Sequence, residues 1–146
     1  MFIFKLQSIL DYRKNIEEKI LGEFSEKKRR LEAEEQRLNN LIMERLNLID
    51  ELRKMQSRSL HADEIASYIS YIEQLRDYEE KQKKVITDVQ EQVEAVRKEL
   101  IEAVRKEKVM EKLKERHAEE YEGVMRAMEQ KNTDEMAVLR FGRRQI

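Results

Sequence analysis

The sequence predicts an all-α protein, a long two-helix antiparallel coiled-coil hairpin whose second helix is longer than the first. Three observations lead to this fold class. Asp, Glu, Lys and Arg make up 42% of the chain and aromatic residues only 6%, which is too polar for a compact globule. There is no proline and there are three glycines, so little interrupts a long helix. Finally, apolar residues recur at alternating spacings of three and four residues.

The first run of this spacing predicts helix 1 at about residues 4–57. Its seam, the line of positions expected to face the partner helix, consists of Leu6, Leu10, Arg13, Glu17, Ile20, Phe24, Lys27, Leu31, Glu34, Leu38, Leu41, Arg45, Leu48, Leu52 and Met55. Flanking apolar residues are expected to widen the buried stripe; they are Ile9, Ile16, Leu21, Ile42 and Ile49. Polar residues interrupt the seam, and we expect it to be weakest around residues 27–37.

The second run predicts helix 2 at about residues 63–140, after a turn at about 58–62. Ser57, Ser59 and Asp63 can accept hydrogen bonds from the free amides of a helix start, which places the break here. The second seam consists of Ile65, Tyr68, Ile72, Leu75, Glu79, Gln82, Ile86, Val89, Val93, Val96, Leu100, Ala103, Glu107, Met110, Lys114, His117, Tyr121, Val124 and Met128. A short connection makes pairing within the chain entropically cheap, so we expect one domain over residues 1–146.

The two seams predict a register. Core positions oppose each other when paired residue numbers sum to 120, which sets Phe24 against Val96 and Arg13 beside Glu107. A shift of one heptad also satisfies the pattern. In the first register residues 119–146 have no partner, and their apolar side chains are expected to attract one.

Several kinds of chemistry are not expected. Without cysteine there is no thiolate ligand or thiol nucleophile, and His61 and His117 lie far apart, so we predict no metal, no cofactor and no catalytic site. Lys and Arg number 30 against 31 acids, which disfavours nucleic acid as a partner. The basic run at 27–30 is bracketed by acids and fits a solvated face. The apolar start of the chain stops at Lys5, so no membrane insertion is expected.

Two segments are candidate binding surfaces. Tyr68 fits the seam, whereas Tyr71 and Tyr78 are expected to be partly exposed, either as interface anchors or as residues that widen the core. A cluster of arginines lies at the end of the chain, at positions 140, 143 and 144, where a partner contact and a frayed basic tail are equally compatible with the sequence.

Three segments resemble the flagellar export protein FliJ family. They are Phe4-x-Leu6-x-x-Ile9-Leu10-x-x-Arg13 at the start, His61-Ala62-Asp63-Glu64 through Tyr68 and Tyr71 at the restart, and Glu111-Lys112-Leu113-Lys114-Glu115-Arg116 followed by Asp134-Glu135-x-Ala137-x-x-Arg140. The resemblance covers nearly the whole chain. It implies a non-enzymatic stalk-like coiled coil of the bacterial flagellar type III export apparatus, cytoplasmic and peripheral at the inner membrane.

The resemblance also implies partners: the flagellar export ATPase, the export gate protein FlhA and export chaperones. The candidate residues for the ATPase are Phe4, Leu6, Arg13, Asp134, Glu135 and Arg140. The candidate residues for the gate or chaperones are Tyr68, Tyr71, Ile72 and Leu75. We expect a monomer. The alternative is a generic coiled-coil scaffold or the stalk of another rotary ATPase, and a stable dimer would favour the scaffold.

Overall fold

The computed structural model describes residues 1–58 and 62–144, and two helices account for most of them. Helix α1 spans Gln7–Gln56 and helix α2 spans Ala62–Arg144. They pack against each other and α2 is the longer, which confirms the predicted two-helix fold class. Contacts group the chain into two compact units, one formed by Met1–Glu18 with Ile101–Ile146 and the other by Lys19–Leu100. A single domain over the whole chain stays a prediction.

Helix α1 begins at Gln7, so the predicted start at residue 4 is wrong by about one turn. The first four residues are not helical, and Phe4 is only 5% exposed. Its ring lies 5.6 Å from the His117 ring in an edge-on arrangement. The carbonyl of Phe4 accepts a hydrogen bond from the amide of Gln7 at 3.1 Å. The segment is therefore held by packing of its aromatic side chain on α2 rather than by helical hydrogen bonds.

The end of α1 corrects a predicted cap. The Ser57 hydroxyl donates to the Lys54 carbonyl at 2.6 Å, so Ser57 closes α1 instead of capping the start of α2. Asp63 lies in the first turn of α2, where its negative charge favours the helix N-terminus. The centre of the predicted turn, residues 59–61 including His61, lies outside the described residues. Helix α2 ends at Arg144, four residues beyond the predicted end.

The core follows the predicted seams. In the unit Lys19–Leu100 the most buried side chains all lie on the α2 seam; they are Ile72, Leu75, Glu79, Gln82, Ile86 and Val89. Each α1 seam position from Leu6 to Met55 is buried or half-buried. Two of the five flanking residues, Ile9 at 42% and Leu21 at 49%, are exposed, so they do not widen the stripe as predicted. The seam itself supplies the core.

In the unit Lys19–Leu100, polar residues on the seam have partners on the other helix. Arg45 Nε lies 2.6 Å from Glu79 Oε1, with side chains 21% and 8% exposed. The Gln82 amide donates to the Glu34 carbonyl oxygen at 2.9 Å and to the Glu34 carboxylate. Lys27 donates to Gln92 at 3.0 Å. The expected weak stretch around 27–37 is therefore bridged, because a buried polar group with a partner avoids most of its desolvation penalty.

The unit formed by Met1–Glu18 and Ile101–Ile146 has a smaller core. Leu10 is fully buried and Ala103 is 6% exposed. An ion pair between the two helices joins Lys14 Nζ to Glu111 Oε1 at 2.9 Å. From Glu122 to Arg143 every residue of α2 is exposed. We call this segment the overhang; it begins three residues later than the predicted start of the unpartnered segment at 119.

Candidate protein-interaction surfaces

The first four residues pack against α2 just before the overhang. The amino group of Met1 donates to the Tyr121 hydroxyl at 2.8 Å, and the Phe2 and Tyr121 rings lie 5.7 Å apart. Together with the contact of Phe4 on His117, these interactions cover α2 up to Tyr121. The overhang therefore starts immediately after Tyr121, the last residue of α2 that the first four residues contact.

The overhang carries apolar side chains on much of its circumference. Seven of them are between 40% and 70% exposed: Val124, Met125, Met128, Met136, Val138, Leu139 and Phe141. A soluble surface rarely concentrates this much apolar area without a partner. Methionine also adapts its flexible side chain to irregular partner surfaces.

The candidate residues for the ATPase fall into two sets. Phe4 is buried and Leu6 is half-buried, while Arg13 is half-buried with its guanidinium 5.8 Å from the Tyr12 ring centre. The acidic and basic candidates of the overhang, Asp134, Glu135 and Arg140, are exposed. Asp134 lies about 20 Å beyond Tyr121 along a helix, so the described contacts do not bring the two sets together. Phe4 and Leu6 hold the chain's own structure, and the overhang set is free to meet a partner.

The candidate residues for the gate or chaperones divide in the same way. Ile72 is 7% and Leu75 2% exposed, so both belong to the core. Tyr68 is half-buried. Tyr71 is 41% exposed and its hydroxyl donates to a Glu44 carboxylate oxygen at 2.6 Å. This hydrogen bond raises the pKa of Tyr71 above its ordinary value. Of the four candidates, Tyr71 offers the most surface.

Two neighbours of Tyr71 lie outside the candidate residues for the gate or chaperones, although Tyr78 was expected to be partly exposed. Ile69 is 45% and Tyr78 43% exposed, and the Tyr78 hydroxyl accepts a hydrogen bond from Gln74 at 2.8 Å. Ile69 follows the seam position Tyr68, and Tyr78 precedes the seam position Glu79. An apolar residue next to a seam position lies at the edge of the buried stripe, so its partial exposure could be predicted from the sequence. Tyr71 and Tyr78 lie two turns apart on one side of α2 and form an exposed tyrosine strip, whereas Ile69 lies on the other side.

The ionisable groups near Lys14 influence each other. The hydrogen bond from Lys14 lowers the pKa of Glu111 and raises the pKa of Lys14. Partial burial, followed by repulsion from Glu17, raises the pKa of Glu107. Within residues 1–58 and 62–144 no group of three or more His, Asp or Glu side chains is placed to hold a metal ion. This neighbourhood is a set of helix-surface charges.

Two packed helices with a polar-bridged seam, an exposed tyrosine strip and an uncovered apolar helix end define a coiled-coil protein with candidate surfaces for other proteins. The family model described as "Flagellar FliJ protein" matches residues 1–145, and the chain belongs to this family. It is therefore a component of the flagellar export apparatus, in a family that is structural rather than catalytic. No curated protein and no solved structure matched the chain. None of the described helices is long and apolar enough to cross a bilayer.

Proposed function

We propose that this chain is a non-enzymatic stalk that binds the export ATPase ring at the end carrying both termini and links the ring to the export gate FlhA and to export chaperones. The observation that carries the proposal is the overhang, whose exposed apolar side chains need a partner. We place the protein, as a monomer, on the cytoplasmic side of the inner membrane, where the export apparatus holds it.

In this mechanism the chain contributes binding and not chemistry. ATP hydrolysis takes place in the subunits of the ATPase, and the overhang inserts where those subunits meet. Binding that favours the assembled ring over free subunits shifts the assembly equilibrium towards the ring. Long paired helices then transmit the nucleotide state of the ring towards the gate.

The overhang proposal is tested by Arg140→Glu, which reverses one exposed charge. We expect stimulation of the export ATPase to fall several-fold while helical content stays unchanged. Lys84→Glu is the matched control, because it makes the same charge change at an exposed position of α2 in the other compact unit. Unchanged stimulation by Arg140→Glu, or an equal loss in both variants, would contradict the assignment.

The gate surface is tested separately at Tyr71. Tyr71→Ala removes an exposed aromatic side chain of the kind that anchors interfaces, so we expect binding of the cytoplasmic domain of FlhA or of an export chaperone to weaken at least tenfold. Tyr71→Phe keeps the ring and loses only the bond to Glu44. Leu21→Ala, at an apolar residue with similar exposure, should leave binding unchanged. A Tyr71→Ala protein that binds as the native chain does would remove this residue from the surface.

A further inference from the structure

The paired part of the unit formed by Met1–Glu18 and Ile101–Ile146 has two chemically different sides. In an antiparallel helix pair, residues that follow seam positions meet on one side and residues that precede them meet on the other. Lys14 follows Arg13, Glu111 follows Met110, and the two side chains form an ion pair at 2.9 Å. Their contact shows that the residues that follow seam positions on the two helices lie on the same side of the pair.

The side that follows the seam is acidic. Its charged residues are five acids and two lysines: Asp11, Glu18, Glu111, Glu115, Glu122, Lys14 and Lys108. Solvation and the Lys14–Glu111 pair account for this side without a partner.

The side that precedes the seam is more apolar, and its charged residues are the bases Lys5, Lys106 and Arg116 and the acids Glu102 and Glu120. On α1 it carries Ile9, 42% exposed, Tyr12, 60% exposed, and half-buried Ile16. On α2 it carries Val109, 65% exposed, and half-buried Leu113. The predicted register sets Tyr12 level with Val109 and Ile9 level with Leu113, and we call these five residues the Tyr12 patch.

Cations border the Tyr12 patch along α2. Lys112 and Arg116 line a shallow depression together with Val109 and Leu113. Lys106 lies one turn earlier and is exposed. The chain as a whole has a formal net charge of −1, so this basic border is a local feature and not a consequence of composition.

We propose that the Tyr12 patch binds an acidic amphipathic helix of a partner protein, which packs as a third helix beside α1 and α2. Apolar residues at spacings of three and four on such a helix would contact Ile9, Tyr12 and Val109. Its acidic residues would pair with Lys106, Lys112 and Arg116. The stretch from Lys106 to Arg116 is about 15 Å long, which matches about three turns of a partner helix.

A second copy of the chain is the competing occupant. The apolar segment that it could offer is its overhang, which carries four acids and four basic residues and ends at Arg143. A helix without net charge gains less from the basic border of the Tyr12 patch than an acidic helix does, so the acidic partner helix is the occupant that we test. The inference goes beyond the proposed function, because none of the patch residues belongs to the candidate sets for the ATPase or the gate.

The test measures binding of the full chain to a synthetic helical peptide of about 18 residues, long enough to cover the patch. The peptide carries Leu at helical spacing on one face and Glu on the other. Two comparison peptides replace every Glu by Lys or scramble the order of the same residues. We expect the acidic amphipathic peptide to bind at least tenfold more tightly than either. Equal binding of the three would overturn the proposal.

Variants locate the site. Val109→Glu and Tyr12→Glu change exposed side chains, so circular dichroism should be unchanged while affinity for the acidic peptide falls at least tenfold. Ile101→Glu is the matched control: it is 39% exposed and follows the seam residue Leu100, so it lies on the other side. A loss of binding in Ile101→Glu but not in Val109→Glu would overturn the proposal. So would concentration-dependent dimerisation of the native chain that Val109→Glu abolishes, because the occupant would then be a second copy.

Discussion

Of the charged side chains in the described structure, Glu79 is the most deeply buried. Glu79 is 6% exposed, and Arg45 on the other helix is its cation at 2.6 Å. A buried carboxylate without a cation is expensive because it loses hydration and gains nothing in return. Such a pair at a seam position costs stability compared with leucine, but it penalises other registers.

Arg45→Leu should therefore lower the free energy of unfolding by about 2–4 kcal/mol, because it leaves Glu79 buried without its partner. The double variant Arg45→Leu/Glu79→Leu should lie within about 1 kcal/mol of the native chain or exceed it. Urea unfolding followed by circular dichroism measures both. Lys83→Leu, which breaks the exposed pair with Glu80, is the control and should cost less than about 0.5 kcal/mol. A double variant as unstable as Arg45→Leu would contradict this account.

A second residue-scale prediction concerns pH. Burial and Glu17 raise the pKa of Glu107. The folded state thus favours the protonated form, and this contribution to stability is complete below the unfolded pKa and is lost as pH rises through the folded pKa. Glu107→Gln should raise Tm at neutral pH by about 1–3 °C. The difference should vanish in acid below the ordinary pKa of a glutamate.

Glu111 supplies a control of opposite sign. Lys14 lowers its pKa, so its contribution is present above the unfolded pKa and is lost as pH falls through the folded pKa. Glu111→Gln should lower Tm at neutral pH and have no effect in strong acid. Thermal melts from pH 3 to pH 8 distinguish the two variants, and shifts of the same sign would refute the explanation.

At the scale of the helices, periodicity predicted which residues form the core. It could not predict where α1 begins or how exposed the residues beside the seam are. Seam positions are fixed by the helical repeat, which is why Leu75 and Val89 are found buried as expected. The start of α1 depended on a tertiary contact, Phe4 on His117, that no local pattern encodes. Ile9 was expected in the core because it is apolar, but its place beside the seam leaves it 42% exposed.

The candidate surfaces were predictable to a similar degree. Tyr71 was identified because it precedes a seam position, and it is exposed. Ile72 and Leu75 came from family resemblance, which does not separate residues conserved for packing from residues kept for binding. The Tyr12 patch became visible only once the Lys14–Glu111 pair showed which flanks of the two helices lie on the same side.

The overhang gives an element-scale prediction. Gly123 lies in the interior of α2 immediately after the last covered turn, and a Cβ added there meets nothing within 4 Å. Gly123→Ala should stabilise the helix locally by about 0.5–1 kcal/mol, since alanine loses less backbone entropy. Amide exchange near residue 123 should slow by about two- to fivefold.

Two other glycines serve as comparisons for Gly123. Gly22 lies inside α1 with equally open space, so Gly22→Ala should give a similar local gain. Gly142 lies within the last turn of α2, where fraying reduces the effect, so Gly142→Ala should change little. Equal slowing at all three positions, or none at Gly123, would show that helix propensity does not limit the order of the overhang.

At the scale of the whole molecule, the pairing of the helices within one chain is the property on which both proposals depend. Contacts between the helices scatter on both sides of the predicted register. Lys27 with Gln92 deviates from it by one residue, Arg45 with Glu79 by four and Lys14 with Glu111 by five. Polar pairs at the seam make a shift of one heptad costly, because Glu79 and Gln82 would lose their partners. We therefore expect one register and a monomer of 17.7 kDa.

Cysteine cross-linking tests register and stoichiometry together, because the native chain has no cysteine. Phe24→Cys/Val96→Cys should form a disulfide rapidly within one chain, since the predicted register sets these half-buried positions opposite each other. Phe24→Cys combined with cysteine at 89 or 103 lies one heptad away, about 10 Å along the helix, and should link slowly. Light scattering on the oxidised protein should give the monomer mass. Preferential linkage at 89 or 103 would contradict the predicted register. A cross-linked dimer would show that the helices pair between two chains and not within one.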